Sequence, residues 1–192
     1  MHSQLNLLVP HPTAAELAAG LDQILRSPKD AGELQLIVRR PRVGQREVLE
    51  QGQLDTVEGL IGDTWRFRAS SRTADRKSPH PDMQINVMNA RAIALIAQNP
   101  TRWALAGDQL YVDLDLSQEN LPAGTRLAIG SAIIEVTPQP HTGCDKFVER
   151  FGLAAMTFVN STRGRQLSLR GINARVVQGG TIRRGDVARK NR

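Results

Sequence analysis

Apolar and polar positions along the chain change period several times, and each change marks an element. Thr13-Ala14-Ala15-Glu16-Leu17-Ala18-Ala19 opens as a capped helix: the Thr13 hydroxyl is placed to accept from the Glu16 backbone N–H, with the acid in the first turn. That helix should stop near Ser27-Pro28. Leu34, Leu36 and Val38 then alternate with Gln35, Ile37 and Arg39, which predicts a strand that Pro41 closes. A polar, Gly-punctuated stretch follows, and residues 72–81, rich in charge, Ser and Pro, read as an exposed loop.

Beyond that loop Met83, Ile85 and Val87 alternate with Gln84, Asn86 and Met88, and Asn89 is placed to cap a helix carrying Ala92, Ile93, Leu95 and Ile96. Leu110, Val112, Leu114 and Leu116 alternate with Tyr111, Asp113 and Asp115, the pattern of a half-buried strand. Short strands are expected at 126–129, 132–136, 167–169, 173–177 and 181–188, most of them separated by turn glycines. Residues 179–186 read as a hairpin-like closing segment. Phe147, Val148 and Phe151 predict a short amphipathic helix starting just after Cys144. Many short strands with a few small helices point to a mainly β fold, a barrel rather than a doubly wound sheet.

Length and composition narrow the class. At 192 residues, 40% hydrophobic, the chain suits one well-buried domain. No stretch approaches the roughly 20 apolar residues of a membrane span. Met1-His2-Ser3-Gln4 lacks a basic region followed by an apolar core, so the expected location is the cytoplasm. The net charge of +6 is uneven: residues 163–192 hold nine basic residues and one acid, while the rest hold 16 basic and 18 acidic. Arg189-Lys190-Asn191-Arg192 reads as a solvated tail, and Arg163, Arg165, Arg170, Arg175, Arg183 and Arg184 as an anion-attracting surface. A non-enzymatic module binding anions or nucleic acid through these arginines is one alternative. With one Tyr, two Trp and four Phe for base stacking, however, nucleic acid is not the expected partner.

Cys144 is the single cysteine, which excludes an internal disulfide and any multi-cysteine zinc site. His2, His11 and His80 have no spacing that builds a metal site and read as surface residues. In Pro140-His141-Thr142-Gly143-Cys144 the sulfur falls at a helix N-terminus, where free backbone N–H groups, Lys146 and Arg150 favour negative charge on it, and His141 is three residues away. Four roles stay open on these residues: nucleophile, sulfur carrier, ligand to a soft metal, or an inert packing cysteine. Cys144 and His141 are the candidate catalytic pair; as a thiol hydrolase they would still need an acid to orient the histidine, and the sequence identifies none.

Five segments carry a resemblance: Glu58-Gly59-Leu60-Ile61-Gly62-Asp63; Asp82-Met83-Gln84-Ile85-Asn86-Val87; Glu119-Asn120-Leu121 with Gly124 and Leu127-Ala128-Ile129-Gly130; the strand from Ile133 leading to Cys144 and Lys146; and Gly180-Thr181-Ile182-Arg183-Arg184-Gly185-Asp186. In that order they resemble MOSC-domain proteins, similar to the C-terminal domain of molybdenum cofactor sulfurases and to small stand-alone bacterial members. The chain departs from the pattern at Gln118, where related members carry Gly, at Gly143, where Pro is usual, and at Trp65. The resemblance implies a β-barrel over residues 55–188, with 1–54 packing on it and 189–192 as a basic tail. It also implies that Cys144 carries sulfur as a persulfide or ligates the molybdenum of the pterin cofactor, in a sulfur transferase or a component of a molybdenum-cofactor-dependent reductase. Glu119, Asn120, Thr142, Lys146, Asn173 and Arg175 are the cofactor-binding residues expected from it. The partners implied are a cysteine desulfurase or other sulfur donor, and molybdenum cofactor or a molybdoenzyme. No pyridoxal phosphate is expected to bind this chain alone.

Overall fold

The computed structural model describes residues 10–191. The Thr13 cap is reciprocal, its hydroxyl accepting from Glu16 N and the Glu16 carboxylate accepting from Thr13 N, and it starts α1 (Ala14–Ala19). Gly20 breaks the run into a second turn of helix, α2 (Leu21–Leu25), which ends just before Ser27-Pro28.

The strands are β1 (Ala31–Arg39), β2 (Glu47–Leu49), β3 (Gln51–Asp55), β4 (Gly59–Leu60), β5 (Ile85–Asn89), β6 (Leu110–Val112), β7 (Arg126–Ile129), β8 (Ala132–Val136), β9 (Ile172–Gln178), β10 (Gly180–Arg183) and β11 (Val187–Asn191). Seven of them close a barrel in the order β11-β7-β8-β9-β5-β6-β1, with β1 pairing back to β11 and β2 attached to the other end of β1. Neighbours are antiparallel except β5 and β6, whose parallel pairing is bridged by α3 (Ala90–Ala97), capped by the Asn89 side chain. Two further helices, α4 (Asp145–Asn160) and α5 (Thr162–Gln166), connect β8 to β9. A small sheet, β10-β3-β4, packs Leu54, Leu60 and Ile182 into the barrel core.

Burial falls into two layers. Leu34, Ile37, Val87, Leu110, Val112, Ile134 and Ala174 fill the barrel, while Val38, Met88 and Tyr111 point outward under a coat of Leu17, Ile93, Phe147 and Phe151 from the helices. Strands in this part of the wall are therefore apolar on both faces, and Tyr111, expected on a half-exposed face, is fully buried with its hydroxyl donating to Trp103 O.

Five local expectations change. The alternation in β1 is interrupted by a register shift between Leu34 and Leu36, so Leu34 and Ile37 face the barrel while Leu36 and Val38 face the helices. Residues 167–169 form turns after α5 rather than a strand, with Ser168 at φ 50°. Residues 181–188 divide into β10 and β11, which pair with β3 and with β7 and β1 respectively and make no hairpin together. Arg189, Lys190 and Asn191, read as a tail, lie in β11, and β1, read as packing on the barrel, is one of its staves. Met1, His2, Ser3, Gln4 and Arg192 lie outside the described residues.

Candidate functional site

Cys144 is exposed and is the N-cap residue of α4, with extended backbone and no side-chain cap hydrogen bond, so it is not a packing cysteine. The helix behind it is anchored by Phe147 and Phe151, both buried, and turns at Gly152, where φ is 86°. Far along α4, Asn160 reaches back to the loop: its Oδ1 accepts from Gly143 N at 2.9 Å and its Nδ2 donates to Gly143 O at 3.2 Å. A side-chain amide thereby replaces the backbone partners that this loop residue lacks, fixing the residue before the cysteine.

The loop preceding Cys144 forms one wall of a cavity of about 500 Å3, in the size range of small-molecule sites. Thr137, Gln139, His141 and Thr142 line it from the loop, Arg165 from α5, Ser168 and Arg170 from the segment after it, Asn173 from β9, and Leu121 and Val136 add apolar surface. Behind the wall runs a buried polar chain. Asp63 takes two hydrogen bonds from the Arg40 guanidinium, at 2.8 Å each, and Arg40 Nη1 donates to Asn86 Oδ1. Asn86 Nδ2 donates to Asn173 Oδ1, and Asn173 Nδ2 to Gln139 O in the cavity loop. Burial pushes the Asp63 carboxyl upward, but hydrogen bonds and charge from Arg40 outweigh it and hold it below the usual carboxylate range.

At the cavity floor Arg170 donates to Asp108 Oδ2 at 2.7 Å and to Ala106 O. Asp108 is wholly buried; its Oδ1 has no hydrogen-bond partner and lies 3.4 Å from His141 Nδ1, which has none either. Burial raises the Asp108 carboxyl above its ordinary value, with Arg170 pulling against it. His141 is held well below the ordinary imidazole value, first by burial and then by the positive charges of Arg170, Arg40 and Arg72, so the imidazole is neutral.

The expected site residues separate into two groups. His141 and Thr142 line the cavity from the loop and Asn173 from β9; Cys144, two residues past Thr142, lies beside the cavity without lining it. Glu119, Asn120, Lys146 and Arg175 do not line it. Asn120 holds the backbone, donating to Lys29 O and Asp115 O and accepting from Lys190. Arg175 is half exposed and donates to Glu135, and Glu119 and Lys146 are exposed. Of the two expected cofactor-binding residues on β9, Asn173 faces the cavity loop while Arg175 is taken up by acids. Asp108, Arg40 and Asn160 escaped sequence reasoning, because their partners lie 62, 23 and 17 positions away and no local motif announces them.

Solved structures similar to this fold include the YuaD protein from Bacillus subtilis, with TM-score 0.62, 17% identity, and coverage of 82% of this chain and 94% of that one. They also include YiiM from Escherichia coli (TM-score 0.54, 18% identity, 83% and 70% covered) and YiiM from Geobacillus stearothermophilus (0.51, 13%, 85% and 74%). No curated protein matches the sequence. The MOSC domain family matches residues 75–189, which span β5 to β11, the Cys144 loop and every residue of the cavity wall. More than half of the sequence and the whole site fall within that match, and the chain belongs to the MOSC domain family.

Proposed function

We propose that this protein handles molybdenum cofactor, or sulfur destined for its metal, with Cys144 as the working thiol and the adjoining cavity as the binding site. The observation that carries the reading is the exposed Cys144, pinned through Gly143 by Asn160, on the loop that walls the cavity. The donor set suits such a group: a soft thiolate for a soft metal, and for anionic oxygen the exposed Arg165 together with Arg170, whose buried Nε has no hydrogen-bond partner. When bound, the cofactor would supply a metal centre for sulfur or oxygen chemistry, with Cys144 as its protein ligand and Arg165, Thr142 and Asn173 as the residues that hold it. As a carrier, the Cys144 thiolate attacks the outer sulfur of a donor persulfide; the new S–S bond forms as the donor's breaks, and the donor leaves as its thiolate.

Two measurements on wild type and Cys144→Ala test this: molybdenum content after purification from cofactor-producing cells, and intact mass after incubation with a cysteine desulfurase and cysteine. The expected result is metal, or a mass gain of about 32 Da for one sulfur, in wild type and neither in the variant. Identical metal content and labelling in both proteins would overturn the reading. His141→Gln separates it from a thiol hydrolase, which would lose nearly all turnover, whereas a carrier keeps most of its labelling.

A further inference from the structure

We propose that His141 is the proton-transfer residue of the cavity and that Asp108, locked by Arg170, is the positioning residue that keeps its proton on Nδ1 and its lone pair on Nε2. This rests on the reading that the cavity is where the ligand binds, and it adds the chemistry that ligand meets there.

Arg170 is buried and permanently cationic, so it requires an anion, and its Nη1 contact with Asp108 Oδ2 at 2.7 Å supplies one. That contact fixes the carboxylate and leaves Oδ1 without a donor, 3.4 Å from His141 Nδ1. Burial favours the neutral acid, but the Arg170 contact holds Asp108 as the carboxylate, and its wholly buried Oδ1 is then satisfied when the facing ring nitrogen carries the proton. Burial first, and then the charges of Arg170, Arg40 and Arg72, disfavour a positive charge on the ring, so the imidazole is neutral and, with the proton on Nδ1, Nε2 keeps its lone pair. Gly171, at φ 109° just before β9, closes the arrangement: a Cβ there would stand 2.4 Å from Val87 O and 3.1 Å from His141 Nδ1, so no other residue lets the ring settle against Asp108. His141 is mostly buried but lines the cavity, so the ring side away from Asp108 is the one a ligand meets.

The matching ligand presents an O–H, N–H or S–H group to that nitrogen and negative charge to Arg165. Its proton passes to Nε2, the ligand keeps the electron pair of the broken bond, and the imidazolium that forms is balanced by Asp108 until the proton is returned to the leaving atom. The acid–histidine pairing is that of hydrolase triads, where replacing the acid by its amide preserves geometry and reverses the histidine tautomer.

Long-range 1H–15N correlation spectra of the 15N-labelled protein read the tautomer directly, with His141→Gln assigning the signal. The expected result is an Nδ1–H imidazole in wild type and in Cys144→Ala, and an Nε2–H imidazole in Asp108→Asn. An Nε2–H or evenly mixed tautomer in wild type would overturn the proposal, as would an unchanged tautomer in a folded Asp108→Asn. If that variant does not fold, the wild-type spectrum alone decides. Loss of molybdenum and sulfur labelling with the Nδ1–H signal intact would remove the proposed function and leave the role of Asp108 standing.

Discussion

Two buried carboxylates, Asp63 and Asp108, each hold one arginine, and both pairs sit behind the cavity wall. Cutting such a pair strands a charge where water cannot reach it. Asp63→Asn is expected to cost about 3–5 kcal/mol in urea unfolding, because Arg40 is almost as buried as its partner. His141 makes stability depend on pH. Its folded value lies below the ordinary 6.5, so as pH falls past that point the unfolded chain gains a proton that the folded chain refuses. Stability is whole above that pH and declines below it, toward the folded value. The melting temperature should therefore fall between about pH 7 and about pH 5, and less steeply in His141→Gln. At this scale Cys144 was legible, because a lone cysteine between glycine and a helical apolar pattern announces itself. Asp108 was not: its meaning depends on Arg170 and His141 arriving from distant parts of the chain.

Among the elements, α4 connects packing to chemistry. Phe147 and Phe151 seat its first turns, Gly152 redirects it, and Asn160 on the second arm returns to clamp the Cys144 loop. Asn160→Leu keeps the volume but leaves Gly143 N and O unpaired, at a cost of about 1–3 kcal/mol. The sharper readout is local: alkylation of Cys144 by iodoacetamide should change rate in that variant, and an unchanged rate would show that the clamp does not govern the loop. Gly152→Ala should lower the melting temperature, since alanine at φ 86° costs about 1–2 kcal/mol and its Cβ would meet the His11 ring at 2.7 Å. Elements with a local signature were readable, as with the Thr13 and Asn89 caps. The bulge in β1 was not, because Leu34, Leu36, Ile37 and Val38 are all apolar and either register buries them. Residues 167–169 are apolar at alternate positions for a different reason: Leu169 packs under the helices from a turn.

For the molecule as a whole, the fold class was legible from the spacing of short strands, and the ring order was not, since closure pairs strands from opposite ends of the sequence. The same closure redistributes charge. Arg170, Arg175 and Arg184 come from the basic C-terminal stretch and meet Asp108, Glu135 and Glu50 from the acidic remainder, so half of the anion-attracting set expected from composition is taken up by ion pairs, Arg170 in the interior and the other two at the surface. Of that set Arg165 lines the cavity and makes no ion pair among the described residues. Deleting residues 187–192 removes the stave between β7 and β1. The expected outcome is loss of the cooperative thermal transition, whereas a trimmed tail would leave it unchanged.

The pairing of β1 with β11 also sets when the protein can fold during synthesis. Ala31 faces Arg189 across the seam, so a growing chain cannot seal its barrel until β11 has left the ribosome. At translation speeds of about 5–20 residues per second, that edge of β1 waits roughly 7–30 seconds for its partner. The open edge is the start of a strand that buries Leu34 and Ile37 on one side and Val38 on the other, so the nascent chain holds an unpaired strand end beside apolar residues throughout that interval.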